Sequence, residues 1–461
     1  MKKEKYRIET DSMGDLNVPM EAKWGAQTQR ALDNFCISDL TMPSEFISAL
    51  GLIKWSAALT NEQLGLVSKA KSNAIQKAAQ NIIDGEADDE FLVDVFQTGS
   101  GTSSNMNANE VIANIASLLT EDKIHPNDDV NMSQSSNDVV PTAINVAAMI
   151  CLKEGLLPAL NKIISSLDHK SDSLKDVVKT GRTHLMDAMP ITLSQEIDGW
   201  KHQLQKVRER IEESEGRLSC LAQGGTAVGT GINAHPDFPE KFVKNISKKT
   251  SIDFKVSPSY FESMSSQDSS LELSSHLRLL ATCLIKISND LRWMNSGPLA
   301  GISEIKLPEL QPGSSIMPGK VNPVIPEAVI MACAQVIGND ATIAYSAQSG
   351  NFQLNVMLPV IAYNLIQSIN IMTNAISSLD EKAISGFEVN LEVIDKNLTR
   401  NPILVTALNS KIGYELGAKI AKKAYQQGRS IKDVAMEMTD LSEDEIDQAL
   451  DPLDLTKGGL K

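Results

Sequence analysis

Apolar residues recur along most of this chain at steps of three and four. After Pro190 they fall at Ile197, Trp200, Leu204, Val207 and Ile211, one stripe on one helix face. Thr192, with Gln195 three residues later, reads as a capping box that starts this helix, and Gly224-Gly225 ends the region. The predicted helix of about 25–30 residues is more than twice the ~11–12 residue average. Further long helices are predicted over 141–167, 271–293, 326–338 and 356–379. Segment 143–152 is apolar around most of its circumference, which requires burial in a large bundle. Long helices buried this way suggest a core shared between subunits. The β signal is weak, with short strands expected only near Tyr6–Glu9 and Phe254–Val256. No 20–50 residue repeat breaks the pattern. The tail reads as a small helical unit: Asn401-Pro402 starts one helix, Ser430 caps another, and Ser442 with Glu445 forms a second capping box. Lys457–Lys461 reads as frayed, because its glycine pair has little to order it. The fold class is mainly α.

Composition narrows the function. The 461 residues are 42% hydrophobic, enough for a sizeable core. A net charge of −15 argues against nucleic acid or an anionic membrane as the main partner. Five scattered cysteines without CxxC spacing point to reduced thiols and a cytoplasmic location. Six histidines with no HExxH and no Cys/His cluster predict no metal site. Met1–Tyr6 is charged and lacks an apolar core, so no secretory signal is expected. No apolar run of the ~18–20 residues that cross a bilayer is expected either.

Four polar clusters interrupt the helices. The densest is Gly313-Ser314-Ser315-Ile316-Met317-Pro318-Gly319-Lys320-Val321-Asn322-Pro323. Its prolines break regular structure, its glycines let backbone N–H groups approach a ligand, and Lys320 adds a full charge. That suits an anion, and it supplies local positive charge in an acidic chain. The second cluster is Thr98-Gly99-Ser100-Gly101-Thr102, followed by Ser103-Ser104-Asn105. The third joins His125-Pro126-Asn127-Asp128 to Ser133-Gln134-Ser135-Ser136-Asn137-Asp138, in which Ser135-Ser136-Asn137 sits at the N-terminus of an apolar helix, where free N–H groups attract carboxylates. The fourth, Gly181-Arg182-Thr183-His184, holds the best general acid/base candidate, His184. Nucleotide motifs fail: Gly313 to Gly319 is one residue too long for a Walker A loop, and Gly225–Gly231 has the wrong glycine spacing.

Taken singly, each cluster is an ordinary turn or helix cap. Four in this order, in a helical chain of this length, resemble the class II fumarases of the fumarase/aspartase superfamily. The resemblance starts at Asp11-Ser12-Met13-Gly14 and Trp24-Gly25-Ala26-Gln27-Thr28-Gln29-Arg30 and reaches Ile412-Gly413-Tyr414-Glu415. It implies three mostly helical domains: residues 1–134, a central long-helix bundle over 135–391, and 392–461. It also implies a homotetramer with a twenty-helix core and active sites shared between subunits. The implied activity is reversible hydration of fumarate to L-malate, without cofactor or metal.

By resemblance, Ser314 abstracts the C3 proton of malate, His184 handles the water or hydroxyl at C2, and Glu327 partners that histidine. Lys320 assists catalysis and, with Ser315, Val321 and Asn322, binds substrate. Ser100, Gly101, Thr102, Ser135, Ser136, Asn137 and Thr183 complete the substrate positions. His125, Pro126, Asn127 and Asp128 match a second dicarboxylate site. Asp122 stands where an arginine is often found beside that site, and Met186 replaces a common glutamine. The alternative is aspartate ammonia-lyase; His184 and Gly319 stand where those enzymes typically carry glutamine and alanine. A catalytically silent scaffold is disfavoured, because Ser314, Lys320 and Glu327 are all present.

Overall fold

The computed structural model describes residues 5–459; Met1–Glu4 and Leu460–Lys461 lie outside it. The opening residues read against a secretory signal and the tail residues read as frayed therefore fall partly outside the described chain.

Strand β1 (Tyr6–Asp11) pairs antiparallel with β2 (Gly14–Pro19). The main helices are α1 (Ser44–Gln63), α2 (Thr102–Ser117), α3 (Ser136–Ile150), α4 (Leu193–Leu218), α5 (Asp268–Met294), α6 (Val324–Ala347) and α7 (Leu358–Leu379). A π-turn at Cys151–Leu156 carries α3 on into Leu157–Asp172. A second antiparallel hairpin, β3 (Val178–Thr183) with β4 (Met186–Thr192), lies between these helices in sequence. The contact pattern divides the chain into two units. One contains residues up to Pro158, Arg208–Ala281 and Ala332–Thr373; the other contains Ala159–Val207, Thr282–Met331 and Asn374 onward.

The helical periodicity of the sequence is met. Ile197, Trp200, Leu204, Val207 and Ile211 are all buried along α4. Its start is the predicted capping box: the Thr192 N–H donates to Gln195 Oε1, and the Gln195 N–H donates to Thr192 Oγ1. α3 is buried on all sides, as its apolar circumference requires. Ser430 and Ser442 cap their helices, the latter with Glu445 in a full capping box. One expectation is corrected. By length and composition, the 136–172 helix and α6 are both apolar enough to cross a membrane. The first has 72% of its apolar window buried and is a core helix; α6 has 33% buried. Met331 and Tyr345 on α6 are exposed.

In the first unit, α1 packs against the helix Lys69–Ile83, α3 and the helix Phe238–Thr250. Phe46, Leu50, Ile53, Ile75 and Ile82 are almost wholly buried there, each contributing about 1.5–3 kcal/mol. Buried Glu110 on α2 joins the N-terminal segment to this core. Its carboxylate accepts from the Gly25, Gln27 and Thr28 N–H groups and from the Thr28 hydroxyl, all at 2.6–3.0 Å. It thus caps the helix Ala26–Asn34 from another element. Glu110→Ala is expected to cost about 2–4 kcal/mol, because it strands several buried donors. Thermal melts check this: a melting temperature equal to that of the unmodified protein would remove the capping role.

In the second unit, Leu404, Val405, Leu408, Ile420, Ile431, Val434 and Ile446 form a small core for the C-terminal helices. Asn401 caps the first turn through the Ile403 N–H. The side-chain amide of Asn401 also donates to the Ala188 carbonyl, tying that turn to β4.

Candidate active site

Within the second unit, the β3–β4 hairpin carries His184. A bulge separates Thr180 from Arg182 in the pairing. A Cβ on the intervening Gly181 would come within 2.5 Å of the Met189 carbonyl oxygen, so glycine is required there. The hairpin closes with a two-residue turn of His184 (φ 56°) and Leu185 (φ 60°). Positive φ at both central residues defines the primed turn that suits strand twist. Such turns favour glycine and asparagine, so two ordinary side chains here cost about 1–3 kcal/mol each.

A buried ion network holds the hairpin in this state. Arg182 donates to both carboxylate oxygens of Glu304 at 3.1 and 2.5 Å. Lys179 contacts Glu304 at 2.9 Å and Glu196 at 2.5 Å. The Lys179 and Glu304 side chains are 3% and 1% exposed. Burial alone would push the Glu304 carboxyl up; Arg182 and Lys179 outweigh it and hold the group below the usual carboxylate range. The Thr183 and His184 side chains at the tip are exposed.

The Gly313–Pro323 loop is tied at its base. The Gly313 N–H donates to the Lys320 carbonyl at 2.8 Å, and the Asn322 amide donates to the Gly313 carbonyl at 2.7 Å. Inside this tie, Ser314 Oγ accepts from the Ile316 and Met317 N–H groups at 3.2 and 3.0 Å. Two backbone donors are thus aimed at one hydroxyl oxygen. The Lys320 ammonium donates to Asn322 Oδ1 at 2.7 Å rather than to Ser314. Lys320, Val321, Asn322 and Glu327 share a cleft of about 850 Å³ with Arg292, Lys306 and Asn390. Ser314, Ser315 and the hairpin tip are not on its wall. Glu327 sits in the first turn of α6, and no hydrogen bond joins it to His184 among the described residues.

Within the first unit, the other two clusters converge. Gly101, left-handed at φ 73°, turns the chain into α2; a Cβ there would sit 2.8 Å from Val140. The Ser100 and Thr102 hydroxyls hydrogen-bond each other at 2.8 Å. Ser135 caps α3 in a capping box with Asp138. The other oxygen of Asp138 accepts from Gln223, the Gly224 N–H and the Thr226 N–H at 2.9–3.1 Å. Burial pushes the Asp138 carboxyl up to about 6 despite these bonds. The Asn137 amide donates to the Ala227 carbonyl. A pocket of about 400 Å³ results, lined among others by Asn105, Asn127, Asn131, Gln134, Ser135, Ser136 and Thr226. The glycine run that fails as a nucleotide motif thus supplies one wall.

His125 is placed differently. Its Nδ1 accepts from the Asn127 and Asp128 N–H groups and caps the turn Pro126–Val130. The Asp128 carboxylate lies 3.3 Å from the same nitrogen. Of this quartet, only Asn127 lines the pocket. Sequence reading missed Lys179 and Glu304 behind the hairpin and Asn131 in the pocket; it singled out the segments that hold Asn401, Gln134 and Thr226 but gave those residues no site role. Lys179, Glu304 and Asn131 carry no spacing signal; each is placed by tertiary contact.

The family profile described as "Lyase" matches residues 14–338, and the one described as "Fumarase C C-terminus" matches 404–457. The "Fumarate hydratase class II" of Xylella fastidiosa is 53% identical over 457 residues, 99% of this chain and 97% of that protein. The chain belongs to the class II fumarase family. "Fumarate hydratase class II 2" of Pseudomonas aeruginosa is 52% identical, over 98% of this chain and 99% of its own. The crystal structure of the class II fumarase of Schistosoma mansoni superposes with a TM-score of 0.95 at 37% identity, covering 98% of this chain and 99% of that one. The fold is therefore the mainly α fold of the fumarase/aspartase superfamily.

Proposed function

We propose that this fumarase-family chain is a fumarate hydratase, adding water reversibly to fumarate to give L-malate. The observation that carries the mechanism is the pair of backbone N–H groups on Ser314 Oγ. A serine is a poor base unless its alkoxide is stabilised, and these two donors support the reading that the loop stabilises it. In the dehydration direction, Ser314 takes the C3 proton and leaves an aci-carboxylate with extra negative charge. The C2–O bond then breaks as His184 gives a proton to the leaving hydroxyl, which departs as water. Lys320 and Asn322 hold one carboxylate, with Ser315 and Val321 lining the approach. Ser100, Gly101, Thr102, Ser135, Ser136, Asn137 and Thr183 present neutral donors to the other.

Glu327 is read as the partner of His184 across a subunit boundary, since no hydrogen bond joins the two among the described residues. The exposed apolar side chains of α6 support a homotetramer in which copies complete one another's sites. Residues 125–128 retain a reading as a second dicarboxylate site, weakened by Asp122 and by Asp128 beside His125. Cys36, Cys151, Cys220, Cys283 and Cys333 form no disulfide among the described residues, in keeping with the cytoplasm. Burial pushes the Cys151 and Cys333 thiols up to about 12.

The test is fumarate absorbance in ammonia-free buffer with a chelator. Fumarate should disappear as malate accumulates. Reaction only after ammonia is added would instead make the chain an aspartate ammonia-lyase, which the names of its relatives do not favour.

A further inference from the structure

Lys54, near the middle of α1, is wholly buried. Its ammonium donates to Asn131 Oδ1 at 2.9 Å and to Gln134 Oε1 at 3.0 Å, and both residues line the Ser135–Ser136 pocket. Neither acceptor carries charge. A buried ammonium held only by amide oxygens is costly, and a methionine would fill the same space at less cost. The geometry points onward into the pocket. Asn131 Oδ1 also accepts from the Asn105 and Asn109 amides. Asn105 in turn donates to Ser136 Oγ at 3.0 Å. With its oxygen occupied, the Ser136 hydroxyl has its proton free for a ligand. Thr226 Oγ1, on the opposite wall, is buried without a hydrogen-bond partner.

We infer that Lys54 is a positioning residue for the carboxylate pocket: through Asn131, Asn105 and Gln134 it orients the neutral donors and supplies the charge they lack. The inference rests on reading Ser135–Asn137 as substrate-binding. It explains how donors without charge hold an anion in an acidic chain. The charged groups around α1 are otherwise engaged. On α3, Asp138 acts on Lys54 through space but is taken up by Ser135, Gln223, Gly224 and Thr226. Asp129 is paired with Lys71, Glu110 caps the 26–34 helix, and Lys249 lies over Trp55. Burial pushes the Lys54 ammonium down to about 7, so near neutrality a bound dianion draws a proton onto it.

The experiment is calorimetric titration of the intact protein with succinate, an unreactive dicarboxylate, at pH 7.5 in buffers of different ionisation enthalpy. Succinate binding to the unmodified protein should take up a fraction of a proton. Lys54→Met should abolish that uptake and weaken succinate about 10–100-fold, with circular dichroism unchanged. Ser136→Ala is the reference for the pocket itself. Lys54→Gln, which keeps a neutral donor but no charge, is the second variant: normal succinate affinity there overturns the inference even if Lys54→Met does not fold. Normal affinity in Lys54→Met alongside weak binding in Ser136→Ala overturns it while sparing the pocket. Normal affinity in both variants overturns the pocket reading and Lys54's role together.

Discussion

Replacing Ser314 by alanine is expected to lower kcat by about 10²–10⁴-fold, the range of a positioned proton-transfer group. KM should stay within a few-fold, because the carboxylate donors are untouched. The reasoning is local. Ser314 Oγ collects two backbone N–H groups from its own loop, and removing the oxygen leaves those donors without a developing negative charge to stabilise. The loop is exposed and tied at its base through Gly313, Lys320 and Asn322, so the fold should survive within about 0.5 kcal/mol. Ser315→Ala on the same exposed loop should fall far less, since Ser315 is given only a binding role. Steady-state rates of malate formation decide it; a Ser314→Ala protein with more than half the normal kcat would end the assignment.

The second large effect lies away from the reacting atoms. Glu304→Ala removes the shared acceptor of Arg182 and Lys179. Lys179 keeps Glu196, but Arg182 is left half-buried without its partner. Breaking such a buried pair costs about 3–5 kcal/mol. The strained turn at His184 and Leu185 then loses its anchor, so activity should fall even at temperatures where the protein remains folded. The pH dependence has a definite sign. The Glu304 carboxyl is held below its ordinary value in the folded state. Its contribution is therefore present above the unfolded value near 4.5 and is lost as pH falls through the folded one. Melting curves across acid pH should show the unmodified protein losing stability there and Glu304→Ala losing less. Parallel acid curves for the two proteins would refute the network's role.

Much of the helical frame was legible because its determinants are local. The stripe from Ile197 to Ile211 and the Thr192–Gln195 box act within one helix, so spacing alone predicts them. The loop around Ser314 was legible because proline, glycine and serine dictate a turn wherever they stand together. The hairpin carrying His184 was not. Its strands are mixed in polarity, and its turn lacks the glycine or asparagine that announces a primed turn; buried ionic contacts to Glu304 substitute for turn chemistry. Lys54 was invisible for a related reason. One lysine in the apolar run from Leu52 to Leu59 looks like a solvated break in the stripe, and only its neighbours in space show that it is dry. The membrane-length apolar character of α6 was missed because polar residues divide it in sequence without lowering its average.

The carboxylate of Glu110 also bears on how the chain reaches its native state. The helix Ala26–Asn34 finds the acceptor for its first turn 82–85 residues further on, so it cannot be completed as a local event. A loop of that length must close first, at an entropic cost. The segment leaves the ribosome before its partner exists, so the cap on this helix can form only after α2 has been made.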